Sequence, residues 1–172
     1  MKQPIATLTN LFYGLAAWYA YLADQPIAAG AFLLLMLGSA WYHIARSRWS
    51  KTADEMGIYG IILALLVVAY PISAPYLAGL WVVLLLLNGR ASKHRAKIMT
   101  ALGLCVIFIV QLRAGLLPTL GIVLVMLAAL GARDFGHSAD DPHGGYSFIS
   151  DLCHGLWHGL TAAGLYLALT QI

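Results

Sequence analysis

Residues 26–45 read PIAAGAFLLLMLGSAWYHIA, with no formal charge before Arg46 and with Ser39 and His43 only in the closing turns. As a helix rising about 1.5 Å per residue, the stretch is about 30 Å long, the thickness of a bilayer's hydrocarbon core. The surrounding sequence is of the same kind. Of 172 residues, 61% are hydrophobic and 10% charged, and the mean hydropathy is +0.80. A soluble domain carries about 25% charged residues, so this chain has too little polar surface to coat a globule. That excludes a single-core soluble fold, and with it disorder, a nucleic-acid-binding domain and a disulfide scaffold. Lipid offers no partner for free backbone amides, and the apolar runs are too long for barrel strands, so the spans are helical.

Apolar segments recur at about 5–23, 26–45, 54–71, 75–88, 98–112, 116–132 and 150–170, broken by charges, prolines and polar clusters. They predict an all-α membrane protein, a single domain over residues 1–172 folded as a seven-transmembrane-helix bundle. At Tyr70-Pro71-Ile72-Ser73-Ala74-Pro75 the break carries no charge, but its two prolines favour a turn over one long helix. Segment five, between Lys97 and Arg113, is short for a bilayer and needs its flanking cations to snorkel. Segment one follows Lys2 as a signal peptide would, yet its exit, Tyr21-Leu22-Ala23-Asp24, lacks a cleavage site; it is expected to be retained. Cys105 falls mid-helix and Cys153 at a helix end, so they are expected to be small buried residues, not a bridge.

The cations orient the bundle. Lys2, Arg46, Arg48, Lys51, Arg90, Lys93, Arg95, Lys97 and Arg133 all fall on one side of a seven-span arrangement, and Arg113 on the other. Positive-inside bias then puts the N-terminus in the cytoplasm and the C-terminus outside. The net charge of +3 therefore reflects topology, with no nucleic acid implied. His94 belongs to the basic loop facing lipid headgroups.

Ionisable residues within or beside spans are costly and mark function or tight pairing. Ser39 and His43 close segment two, Asp54 and Glu55 open segment three, and His154 and His158 open segment seven. Residues at i and i+4 share a helix face, so His154 and His158 can reach one ion and Ser39 projects beside His43. The alternating topology brings all three clusters to the cytoplasmic end. Three neutral imidazoles with an open fourth position suit catalytic zinc. Asp54 would take and return a proton there, and the Ser39 hydroxyl would face a developing oxyanion. Taken singly, each has a plainer role: interfacial histidines, a back-bonded helix serine, a first-turn carboxylate. Glu55 keeps that plainer role. Asp151 is a helix-start carboxylate or a partner of His154, and Gly155, Gly159 and Ala163 form a small-residue ridge for helix packing. The stretch 133–149, with His137 and His143, reads as a solvated connection over the site.

Gly38-Ser39-x-x-x-His43, then Asp54-Glu55-Met56, then His154-x-x-x-His158 resembles the alkaline ceramidases. That pattern is shared in outline with the adiponectin/progestin receptors and the haemolysin III-like proteins. Thr7-Leu8-Thr9-Asn10-Leu11 is also similar to the ceramidases. The resemblance implies seven helices, His43, His154 and His158 as zinc ligands, and Asp54 and Ser39 as catalytic groups at an activated water. It further implies hydrolysis of an amide in a ceramide-like membrane lipid, with a bacterial inner membrane suiting the short chain. Residues 1–4 carry no carboxylate, so the calcium regulation of eukaryotic ceramidases is not implied. The rival expectations are a receptor or haemolysin III-like protein with structural zinc, and a haem or proton-relay protein using the same histidines.

Overall fold

Local signals place the helix ends that matter. Pro4 stands at the first turn of α1 (Pro4–Thr9), where its missing N–H is no loss. The ladder breaks at Asn10, and α2 runs Leu11–Leu22. Pro26 opens α3 (Pro26–Ala45), which Arg46 ends in the left-handed conformation at φ 48°. One residue later Ser47 caps α4 (Arg48–Ala69) through a reciprocal capping box with Ser50. Tyr70 is extended, as a residue before proline prefers, and stops that helix. Beyond lie α5 (Leu116–Ser138) and α6 (Phe148–Thr170), the latter started by the Ser147 hydroxyl accepting from Ser150 N at 3.0 Å.

The computed structural model describes residues 3–70, 75–76, 79–83, 103, 105–110, 112, 115–138 and 147–170. All regular structure among them is helical, with helical residues also at 79–83 and 105–110. Pro26–Ala45, Arg48–Ala69 and Leu116–Phe135 are each long and apolar enough to cross a membrane. The basic stretch 90–97 with His94, Arg113, the Pro71 turn and about half of the expected segments four and five lie outside the described residues.

Small residues bring the helices together. The core joins Tyr13, Ala16, Ala17 and Ala20 of α2 to Ala28, Ala31, Phe32 and Leu35 of α3, with Ile61, Ala64 and Leu65 of α4 and Ala162, Leu165 and Ala168 of α6. At Gly38 a side chain would meet backbone: an added Cβ would lie 2.5 Å from Ala53 O and 2.9 Å from Asp54 N. Gly57 likewise faces the Leu35 backbone. Around this core, Leu15, Trp18, Leu22, Leu37, Trp41 and Leu124 remain exposed. An outer surface of this kind suits lipid contact.

Several expectations change. Helix α4 begins at Arg48, six positions before the expected start, because the Ser47 cap is stronger than the apolar boundary suggested. Asp54 and Glu55 thus stand in its second turn, and its first turn holds no acid. Helix α5 continues to Ser138, so Arg133, Asp134 and Phe135 are helical and not part of a loop; residues 139–146 lie outside the described set. Of the small-residue ridge, Gly155 faces Ile5 and Thr9, and Gly159 faces Phe12, but Ala163 is exposed. Gly164 packs in its place, against Met126 and Val125 of α5. Both cysteines are free thiols, Cys105 exposed and Cys153 half-buried, which departs from the expected burial.

Candidate metal centre

The tight α3–α4 reversal at Arg46 and Ser47 sets the last turns of α3 beside the first turns of α4. Ser39 and His43, one turn apart on α3, are both buried. Gly38 allows the two backbones to approach just there, and Ser39 and Asp54 line one cavity together. The first turns of α6 then bring two more imidazoles to His43. His154 and His158 come to ring-centroid distances of 4.7 and 5.1 Å from His43 and 4.8 Å from each other. One ring nitrogen from each of the three lies within 4.8 Å of the other two.

Tautomer and burial decide what this triangle can do. His158 Nδ1 lies 3.1 Å from the Ala6 carbonyl, which can only accept, so Nδ1 carries the proton. The same N–H is shared with the Thr9 hydroxyl oxygen at 3.2 Å. His43 Nδ1 faces Gln3 Oε1 at 2.7 Å, another acceptor. Both rings therefore present a bare Nε2 lone pair. Both residues are 0% exposed, and both Nε2 atoms are buried without a hydrogen-bond partner. An unpaired buried acceptor costs free energy of about 1–3 kcal/mol. Two such atoms in a group with a third imidazole are a donor set suited to a cation. This buried three-histidine group can hold a metal ion.

The centre adjoins a cavity of about 300 Å³, lined by Ser39, His43, Asp54 and His154 together with Leu35, Ile58, Ile62 and Met126. The lining thus combines a few polar and titratable groups with many apolar side chains, the usual form of a small-molecule site. Trp157 stands edge-on to His154 at 5.0 Å, with the Arg133 guanidinium 5.8 Å above the Trp157 ring. Arg133 also pairs with Asp134 at 3.1 Å.

All five expected site residues, Ser39, His43, Asp54, His154 and His158, are brought to one end of the bundle. Glu55 and Lys51 line the cavity too. Asp151 stands in the first turn of α6, as expected of a helix-start carboxylate, and its two carboxylate oxygens also accept from Ile5 N and Ala6 N at 2.9 Å each, capping the start of α1. Sequence reasoning missed Gln3, Ala6, Thr9 and Tyr13. Tyr13 is buried with its ring 5.7 Å from His158. Its only signal was a tyrosine inside an apolar segment, which aromatic packing explains equally well. Gln3 carried none, because its partner lies forty positions away.

No protein-family model, curated protein or solved structure matches the chain.

Proposed function

We propose that the protein is a zinc-dependent intramembrane hydrolase that cleaves the amide bond of a ceramide-like lipid, as the resemblance to the alkaline ceramidases implies. The observation that carries the reading is the pairing of two levels at one place: a buried three-histidine group and a cavity that Ser39 and Asp54 line together with His43 and His154. A structural site fills its fourth position with protein; three histidines beside a cavity leave a position for water and substrate. His43, His154 and His158 hold the ion, which when bound supplies a Lewis acid and a water acidic near neutral pH.

The chain's own groups do the rest. Asp54 takes a proton from the attacking water as its oxygen adds to the carbonyl carbon, and returns it to the nitrogen as the C–N bond breaks. Ser39 holds the Asp54 carboxylate in position and faces the developing oxyanion. The apolar reach past Leu35, Ile58 and Ile62 receives the acyl chain, while Trp157 screens His154. In the membrane the fold is a seven-span bundle with its N-terminus cytoplasmic, its C-terminus outside and the centre near the cytoplasmic face. The heavy Lys and Arg bias of the flanking stretches supports this orientation.

Metal analysis of the protein purified in detergent without chelator, beside His158→Ala, tests the reading. About one zinc per chain, absent from the variant, together with release of fatty acid from a lipid amide, is the expected result. Zinc without turnover of any lipid amide would transfer the site to a receptor-like protein, and no zinc would remove the mechanism.

A further inference from the structure

Metal-bound histidines keep their geometry through what the other ring nitrogen touches, and here those contacts come from one short segment. Gln3 is 2% exposed and places Oε1 2.7 Å from His43 Nδ1. Three residues on, the Ala6 carbonyl receives His158 Nδ1 at 3.1 Å, and Thr9 adds its hydroxyl at 3.2 Å. The helix break makes this carbonyl reachable. In a continuous helix the Asn10 amide would occupy Ala6 O, but that amide bonds Leu8 O instead. Ala6 O takes the Asn10 side-chain amide at 2.9 Å and the Thr9 hydroxyl at 3.1 Å. The segment is itself fixed to the ligand helix, since Asp151 grips Ile5 N and Ala6 N, one turn before His154.

We infer that residues 3–9 are the outer shell of the three-histidine centre, with Gln3 a positioning residue for His43 and the Ala6 carbonyl and Thr9 hydroxyl performing that task for His158. The inference rests on metal binding at the histidines and is independent of what the site hydrolyses. Its physical content is specific. An acceptor at Nδ1 fixes the tautomer that leaves Nε2 bare, fixes the ring plane, and raises the basicity of Nε2; loss of such a partner typically weakens metal binding by about 10–100-fold. Leucine matches glutamine in bulk but accepts no hydrogen bond, whereas glutamate restores an acceptor.

The experiment is a competition for zinc between a chromophoric chelator and the full chain in detergent, comparing wild type, Gln3→Leu and Gln3→Glu. Far-UV circular dichroism and the thermal midpoint of each metal-free protein are followed alongside. Gln3→Leu is expected to bind zinc about 10–100-fold more weakly with unchanged helicity, and Gln3→Glu at least as tightly as wild type. Equal affinity in wild type and Gln3→Leu overturns the inference while leaving the metal centre intact. Equal weakening in both variants also overturns it, by reducing Gln3 to packing. A wild type that takes up no zinc overturns the centre itself, a separate result.

Discussion

Two junctions hold the proposed centre, and they hold it by different means. At the α3–α4 junction, Ser39, His43 and Asp54 are placed by a reversal of two residues, the left-handed Arg46 and the Ser47 capping box, and by the backbone approach at Gly38. At the α1–α6 junction, His158 and Asp151 are joined to Ile5, Ala6 and Thr9 by hydrogen bonds between residues 145 to 152 positions apart. The first is a hairpin that local sequence can specify. The second forms only when the ends of the chain meet. The proposed proton-handling pair thus stands wholly on the local junction, while two of the three proposed metal ligands depend on the distant one.

That division separates chemistry from metal retention, and substitutions can break it. Asp54→Asn is expected to keep zinc and to lower lipid-amide turnover by about 10²–10⁴-fold, the range of a general acid–base group. Full activity in that variant would remove the local junction from the chemistry. Gly38→Ala drives a methyl group into Ala53 O and Asp54 N, and overpacking of this kind costs about 1–3 kcal/mol. A lower thermal midpoint in detergent, with turnover falling as Ser39 and Asp54 separate, is the expected result; an unchanged midpoint would show that the hairpin yields easily.

The smallest effect is expected at the distant junction. Asp151→Ala uncaps α1, a loss of about 0.5–2 kcal/mol, and loosens the segment behind His43 and His158. Weaker zinc binding with little change in turnover at saturating zinc would sharpen the contrast. A collapse of turnover at saturating zinc would erase it.

Much of the site was legible because its spacings are helical. Ser39 and His43, like His154 and His158, share a face by the i, i+4 rule whatever surrounds them, and a titratable group beside an apolar run is conspicuous. Asp54 was legible as a residue but not in its position, since the Ser47–Ser50 box begins α4 earlier than hydropathy suggests. Asp151 was legible as a first-turn carboxylate of α6, but only in part. Its place at a helix start could be read locally, whereas the service of its acceptor oxygens to the amides of α1 is a choice no local pattern records.

By itself the sequence determined the class of the molecule: apolar runs of bilayer length force helices, and i, i+4 spacing forces paired side chains onto one face, because both follow from backbone hydrogen bonding alone. Only the tertiary structure decided which nitrogen of His43 and His158 is bare, that Gln3 and Ala6 O stand behind them, and that Gly38 lets Asp54 reach Ser39. Those are contacts between segments, and a side chain's hydrogen-bond partner is fixed by what packs against it, not by its neighbours in sequence.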